Sequence, residues 1–100
     1  MSISQDLSDE KLQELAASGN TEAEDYLIRR YTRVVKALAR PFFLAGADSE
    51  DLMQEGMLGL LAALRSYDPE SETSFKTYSQ LCIRRKLISA VRNASCKNTV

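Results

Sequence analysis

Residues 51–60 of the chain read DLMQEGMLGL, and this stretch decides the fold because it predicts a helix with two distinct faces. At about 100° per residue, apolar side chains gather on one side, which is the side expected to face a core. That apolar side comprises Leu52, Met53, Gly56, Met57, Leu60, Ala63 and Leu64. The opposite side, spaced i, i+3, i+4, i+7 and i+11, comprises Asp51, Gln54, Glu55, Leu58 and Ala62.

The opposite side is unusual for a helix face that meets only water, because it carries Leu58 among acidic and polar residues. This combination indicates a docking surface for a basic helix or a coiled coil. The alternative is an ordinary surface leucine, since isolated exposed apolar side chains are common. Gly56 and Gly59 lie in the middle of the same helix, where each costs about 1 kcal/mol relative to alanine. We expect close helix packing to account for Gly56, and Gly59 to leave room for a neighbour.

Patterns on the N-terminal side of this stretch predict two further helices. Ser8 is suited to cap the first helix, and Gly19 is suited to end it. Thr21 and Glu24 form a capping-box pair that predicts the start of the second helix, and Pro41 is expected to kink or end that helix. Apolar residues at spacings of three and four predict the buried stripe of the second helix, formed by Ala23, Leu27, Tyr31, Val34 and Leu38.

The central helix is predicted to start at Asp48 or Ser49 and to run to about Ser66, and a fourth helix is predicted from Ser74 to about Asn93. No alternating run of β-branched residues predicts a strand. The length of 100 residues fits one domain. The predicted fold is therefore all-α, a compact bundle of about four helices over residues 8–95, with a flexible N-terminus at residues 1–7 and a frayed end at residues 96–100.

The fourth helix also has two faces. Its inward stripe, with Tyr78 at the edge, is predicted to comprise Phe75, Ser79, Cys82, Ile83, Leu87 and Ala90. A second stripe comprises Thr77, Leu81, Arg84, Arg85, Ile88 and Arg92. Basic heads mixed with apolar side chains can bind phosphates while the apolar atoms meet sugars or bases. The alternatives are a plain solvated face for the second stripe and a core-edge position for Tyr78.

Charge is distributed along the chain in four blocks of alternating sign, although the net charge is only −1. Residues 1–25 and 48–72 each hold seven acidic side chains against one basic side chain. Residues 26–47 hold five basic side chains, residues 73–100 hold six, and neither block holds an acidic one. Such blocks can serve two partners of opposite sign. The alternative is that helix faces neutralise each other within the molecule.

Several classes of protein are disfavoured by what the sequence lacks. It has no histidine, so a histidine metal site or a histidine general base is absent, and no nucleophile–base pair appears. We therefore expect no enzyme activity, no cofactor and no metal. Cys82 and Cys96 would lie about 21 Å apart on one helix, too far to form a disulfide. Without a membrane-spanning run or a secretory signal, the chain is expected to be cytoplasmic, with no membrane partner.

Together these residues resemble region 2 of the sigma-70 family of bacterial RNA polymerase sigma factors. The resemblance rests on residues 51–60, on Tyr67-Asp68-Pro69, and on residues 75–78 followed by Ile83-Arg84. It extends over about residues 8–95, which would form the sigma region 2 helical domain. Within the family, residues 42–48 and 81–83 are most similar to the sigma-H group, which serves stationary phase and sporulation.

The resemblance implies two binding surfaces. The third-helix motif is similar to the surface that docks on the coiled coil of the largest subunit of core RNA polymerase, and the implied contacts are Asp51, Gln54, Glu55, Met57, Leu58 and Leu61. The fourth helix is similar to the part that recognises and melts the promoter minus-ten element and holds the non-template strand. The implied DNA contacts are Phe75, Thr77, Tyr78, Leu81, Arg84, Arg85, Ile88 and Arg92. An anti-sigma protein is a further candidate partner.

The sequence departs from many housekeeping members of the family. Leu81 and Cys82 stand where those members carry two adjacent tryptophans, and Thr73 stands where they carry an aromatic residue. Arg85 replaces a glutamine that often reads a base. We therefore expect weaker intrinsic melting and a different minus-ten preference.

Family members continue into a linker and a C-terminal helix-turn-helix domain that this sequence does not show, so we expect the chain to be a piece of a longer factor. The competing interpretation, from another class, is a helical protein-interaction module without DNA binding.

Overall fold

A computed structural model describes residues 7–98 of the chain, with side chains described for residues 7–92. This part of the chain forms four helices and no strand: α1 is Asp9–Ala17, α2 is Thr21–Leu44, α3 is Ser49–Ser66 and α4 is Phe75–Asn98. The all-α prediction is confirmed. None of these helices has the combination of length and apolar character that crossing a membrane requires. The predictions for residues 1–7 and 96–100 fall mainly outside the described residues.

The first helix begins and ends as the sequence predicts. The Ser8 hydroxyl accepts the backbone N–H of Lys11 at 3.1 Å, which satisfies a donor that has no partner inside the helix. Gly19 has a φ of +105°, a left-handed conformation that glycine adopts without steric cost. Its N–H donates to the carbonyl of Ala16 at 3.1 Å, and this contact closes the helix end.

The predicted capping box at the start of α2 is wrong, because the cap is Asn20 rather than Thr21. The Asn20 side-chain oxygen accepts the N–H of Ala23 at 3.0 Å, and Thr21 is already the first helical residue. Asn20 has an extended backbone (φ −79°, ψ 102°), which directs its side chain at the open end of the helix. A short amide side chain therefore takes the position that the sequence pattern assigned to the threonine one residue later.

The second helix also continues through Pro41 to Leu44, so the proline does not end it. The turn after it contains Gly46, with a φ of +102°. The N–H groups of Gly46 and Ala47 donate to the carbonyls of Phe43 and Phe42 at 2.9 and 3.1 Å, as in a Schellman motif. The stop signal is therefore the glycine, which can adopt the left-handed conformation that closes the turn.

The buried stripe of α2 follows every fourth residue. It comprises Ala23, Leu27, Tyr31, Val35 and Ala39. The predicted members Val34 and Leu38 are only half-buried, although they pack against the core. A spacing of four residues drifts around a helix of 3.6 residues per turn, so the buried stripe winds around α2. This winding agrees with the packing, since α2 contacts α1, α3 and α4.

The helices α3 and α4 approach each other closely at Gly59. A Cβ atom added to Gly59 would lie 2.9 Å from both the carbonyl oxygen of Cys82 and the Cα of Ile83. A Cβ atom added to Gly56 would lie 2.5 Å from Cγ1 of Val35. Both glycines thus permit close packing, as the sequence indicated. The close packing offsets the low helix propensity of glycine.

The fourth helix is longer than predicted. Its backbone is helical to Asn98, whereas the apolar pattern predicted an end near Asn93. At its start, the Ser74 hydroxyl accepts the N–H of Thr77 at 3.2 Å, as the sequence predicts. Backbone hydrogen bonds continue a helix without an apolar stripe, so a pattern based on burial underestimates its length.

Candidate functional site

The outer face of α3 is as the sequence predicts. Asp51, Gln54, Leu58 and Ala62 are exposed and Glu55 is half-buried, while Leu58 presents 51 % of its surface to solvent. Asp48 caps the N-terminus of α3. Its carboxylate accepts the N–H groups of Glu50 and Asp51 at 2.9 and 3.1 Å.

Acidic groups on this face remain available for a partner. Among the described residues, no salt bridge involves Asp51 or Glu55. An unpaired carboxylate next to an exposed leucine combines a charge that can pair with a basic partner and an apolar side chain that a partner can bury. Met57 and Leu61 are half-buried and pack against the core, and the i, i+3 spacing places Leu61 next to Leu58 on the helix surface.

The outer face of α4 is likewise exposed along its described length. Every member of the predicted second stripe is on the surface: Thr77, Leu81, Arg84, Arg85, Ile88 and Arg92. Leu81 and Ile88 are 46 % and 41 % exposed, which is high for large apolar side chains. The face therefore offers guanidinium groups for phosphates and apolar atoms for sugars or bases.

Internal neutralisation does not account for the basic side chains of α4. The salt bridges within the described part of the chain join Lys11 to Glu14, Arg29 to Asp25, and Arg30 to Asp9, and none reaches α4. The positive charge on residues 76–92 of α4 therefore faces solvent, where it is available to a polyanion.

Phe75 lies apart from this outer face. Its side chain is fully buried, and the ring packs edge-on against Tyr31 and Tyr67, with centroid distances of 5.4 Å to each. The helical pattern had also placed Phe75 on the inward stripe, whereas the family resemblance implied a DNA contact. A ring without exposed surface cannot stack on a base in this structure, so the geometry assigns Phe75 to the core.

Tyr78 occupies the border between the core and the outer face. It is half-buried, its ring centroid lies 5.7 Å from that of Tyr67, and its hydroxyl is hydrogen-bonded to that of Ser66 at 2.7 Å. Tyr67 is in turn fixed by a hydrogen bond from its hydroxyl to the carbonyl of Thr73 at 2.7 Å. The exposed part of Tyr78 is thus held in a defined orientation beside Thr77.

One residue that positions α4 was missed by the sequence reasoning. The carboxylate of Glu10 in α1 accepts the backbone N–H of Phe75 at 2.8 Å, and this bond anchors the start of α4. The partners are 65 residues apart, so no local pattern reveals the contact. The only local signal is that a carboxylate is favourable near any helix N-terminus.

Comparison with known proteins matches the part of the chain that carries both outer faces to a known family. The family model described as Sigma-70 region 2 matches residues 27–96. The RNA polymerase sigma-H factors of Bacillus licheniformis and Bacillus subtilis (strain 168) are each 45 % identical over 89 residues, which are 89 % of this chain. The RNA polymerase sigma-28 factor of Bacillus thuringiensis subsp. kurstaki is 33 % identical over 82 % of the chain. No solved structure gives a significant match.

The chain spans about two fifths of the length of these relatives: 40 % and 41 % of the two sigma-H factors and 35 % of the sigma-28 factor. The matched part includes all of α3 and most of α2 and α4. Both outer faces described above therefore lie within the matched region.

Proposed function

Because this chain belongs to the sigma-70 family of RNA polymerase sigma factors through its region 2, we propose that it docks on core RNA polymerase and recognises and melts the promoter minus-ten element to start transcription. It acts by binding rather than by catalysis. Its place of action is then the cytoplasm, where polymerase and promoter DNA meet. The observation that carries the proposal is the pair of exposed faces, acidic on α3 and basic on α4.

The acidic outer face of α3 is the proposed polymerase-docking surface. Leu58 supplies the exposed apolar anchor, and Asp51 and Glu55 supply carboxylates without an internal salt bridge among the described residues. A coiled coil that presents arginines would satisfy both features, since buried apolar anchors and charge-assisted pairs reinforce each other. A protein that covers this face, such as an anti-sigma factor, would block docking.

The outer face of α4 is the proposed promoter surface. Arg84, Arg85 and Arg92 contact phosphates or base edges, while Leu81 and Ile88 meet sugars or bases. Tyr78 is half-buried, and its exposed part is proposed to stack on an unpaired base of the non-template strand. Stacking on an aromatic ring contributes about 1–3 kcal/mol per base, which offsets the few kcal/mol needed to extrude one. Melting can then proceed without ATP.

Promoter preference is proposed to depend on the positions at which the chain departs from housekeeping factors. Leu81 and Cys82 replace aromatic stacking platforms, so melting requires a more favourable promoter sequence. Arg85 is exposed and can bind guanine bidentately or contact a phosphate. These two outcomes differ, since loss of a base contact changes sequence preference and loss of a phosphate contact weakens binding to all sequences.

A pull-down with core RNA polymerase tests the docking half of the proposal. We expect Glu55→Lys to abolish association while the helical content by circular dichroism stays unchanged. Glu72→Lys, an equal charge change in the exposed loop between α3 and α4, is the matched control and should bind normally. Undiminished association of Glu55→Lys would count against docking through α3.

Binding to a single-stranded minus-ten oligonucleotide tests the DNA half. In the presence of core enzyme, Arg84→Ala and Arg85→Ala should each reduce the salt dependence of binding, because each removes a cation that displaces counterions. DNA binding that is insensitive to salt and to both substitutions would favour the competing function, a helical interaction module without a DNA role.

A further inference from the structure

A second basic surface lies on the outer side of α2. It is formed by four exposed side chains at spacings i, i+4, i+7 and i+11, namely Arg29, Arg33, Lys36 and Arg40. These positions fall within a narrow angular range of the helix, directly opposite the buried stripe. Eleven residues of helix rise about 16 Å, so the basic stripe of α2 is long and continuous.

The basic stripe of α2 is hardly neutralised within the molecule. Among the described residues, one salt bridge involves the stripe. At its N-terminal end Arg29 pairs with Asp25 at an N–O distance of 3.1 Å, and both side chains are exposed. No salt bridge in that part of the chain engages Arg33, Lys36 or Arg40, and residues 26–47 contain no acidic residue. Like charges one helical turn apart repel each other, so the stripe is electrostatically unfavourable until an anion binds.

An aromatic side chain borders the N-terminal half of the stripe. A shallow depression is lined by Tyr26, Arg29, Arg30 and Arg33. The guanidinium of Arg30 lies 5.1 Å from the centroid of the Tyr26 ring and is also paired with Asp9, at an N–O distance of 2.6 Å. The depression therefore has a wall formed by Tyr26 and the paired Arg30, with the exposed Arg29 and Arg33 at its rim, an arrangement suited to phosphate groups.

We propose that the basic stripe of α2 is a second DNA-binding surface, which binds the phosphate backbone of duplex DNA without reading its sequence. Duplex DNA carries one charge per about 1.7 Å of axis, so it presents several phosphates along the roughly 16 Å of the stripe. The stripe has no exposed large apolar side chain among its members, unlike the outer face of α4, which fits backbone contact rather than base contact.

This surface is separate from the proposed promoter surface. The buried side of α2 packs against α4, so the stripe on the opposite side of α2 faces away from α4. The two basic faces therefore contact different segments of DNA. The inference goes beyond the proposed function, because the minus-ten role is assigned to α4 alone.

The test measures binding to a mixed-sequence duplex without a minus-ten motif, with fluorescence anisotropy as the readout over a series of salt concentrations. The chain is compared with a variant carrying Arg33→Gln, Lys36→Gln and Arg40→Gln, and with each single substitution. A variant with Lys11→Gln and Arg65→Gln removes exposed cations elsewhere and serves as the control. A third variant with Arg84→Gln and Arg85→Gln reports on α4 independently.

We expect the triple α2 variant to reduce the slope of log affinity against log salt by about 0.9 for each phosphate contact removed, while the control keeps its slope. Arg33→Lys should retain binding, because it preserves the charge. An unchanged slope in the triple variant, or no salt-dependent binding by the unchanged chain, overturns the proposal. Loss of core polymerase binding with an unchanged DNA slope would also overturn it, since the stripe would then serve a protein.

The α4 variant keeps the two proposals distinguishable. If the substitutions in α4 leave binding of the mixed-sequence duplex unchanged but those in α2 reduce the slope, the backbone-binding role of α2 stands. If the α4 variant also binds the single-stranded minus-ten oligonucleotide normally in the presence of core enzyme, the promoter role of α4 fails. All the substituted α2 side chains are exposed, so the α2 variants should have the same helical content by circular dichroism as the unchanged chain.

Discussion

The side-chain carboxylate of Glu10 accepts the backbone N–H of Phe75 at 2.8 Å, and α1 thereby anchors the start of α4. Two other side chains of α1 bind the remaining helices. Asp9 pairs with Arg30 of α2 at 2.6 Å, and the amide of Gln13 donates to the carbonyl of Leu64 in α3 at 2.9 Å. A helix of nine residues therefore connects all three longer helices and fixes the orientation of the proposed DNA-binding helix.

Removing the anchor should destabilise the domain. We expect Glu10→Ala to lower the free energy of unfolding by about 1–2 kcal/mol, since a charged cap and its interaction with the helix dipole are both lost. Glu10→Gln, which keeps an acceptor, should lose less. Glu14→Ala, on the exposed side of the same helix, should change stability by less than about 0.5 kcal/mol. Urea denaturation measures all three, and equal effects of Glu10→Ala and Glu14→Ala would contradict the anchoring role.

Tyr31 makes stability depend on alkaline pH. Burial, reinforced by its hydrogen bond to Asp9, raises the pKa of Tyr31 well above its ordinary value of 10.0. The folded chain therefore keeps a proton that the unfolded chain releases, so the stabilisation is complete below pH 10.0 and is lost as the pH rises further. Tyr31→Phe should flatten the decline in stability above that pH.

Urea denaturation at several alkaline pH values provides the measurement. Some decline should remain in Tyr31→Phe, because burial also raises the pKa of Tyr67. The double variant with Tyr67→Phe should therefore be flatter still. An identical decline in the unchanged chain and in Tyr31→Phe would refute the assignment.

Gly59 should not tolerate a side chain. A Cβ atom there would lie 2.9 Å from backbone atoms of Cys82 and Ile83, and backbone cannot move aside as a flexible side chain can. We expect Gly59→Ala to lower the free energy of unfolding by about 1–3 kcal/mol, despite the better helix propensity of alanine. Ser89→Ala, on the exposed surface of α4, is the control and should be nearly neutral. A stabilised Gly59→Ala would show that α3 and α4 pack less tightly than described.

Leu58 should contribute binding energy rather than stability. Leu58→Ala removes the apolar anchor of the proposed docking face, and truncation of such an anchor costs at least about 1–2 kcal/mol, or roughly tenfold or more in affinity. Leu44→Ala is a matched control, because Leu44 is 80 % exposed but lies at the end of α2, outside that face. Titration with core polymerase measures the affinity of each variant. Equal weakening by both substitutions would contradict the anchor role of Leu58.

Tyr78 should act when the promoter opens rather than when it first binds. We expect Tyr78→Ala to slow open-complex formation more than it weakens closed binding, because stacking is available only to an unpaired base. Tyr78→Phe keeps the ring but loses the hydrogen bond to Ser66, so it should retain most of the opening rate. Permanganate footprinting of promoter thymines measures opening, and an unchanged footprint in Tyr78→Ala would exclude the stacking role.

The sequence was sufficient for features that depend on neighbours along one helix. The two faces of α3 and α4 follow from the helical repeat, so the exposed positions of Leu58 and Arg84 were predicted correctly. The start of α3 at Asp48 and the end of α1 at Gly19 follow from local backbone chemistry. The same local reasoning failed at Thr21, where the side chain of Asn20 caps the helix instead. At Pro41 it was wrong about a helix end, because α2 continues to Leu44 and closes at Gly46.

By itself, then, the sequence determined the helical class, the faces of its helices and their charge, since these depend on periodicity and on residue type. Only the tertiary structure decided that Glu10 anchors Phe75, that the Phe75 ring packs between Tyr31 and Tyr67, and that Gly59 contacts the backbone of α4. The physical reason is that these contacts join residues far apart in the chain. Their energies arise from burial and hydrogen bonding that exist only after the helices have packed.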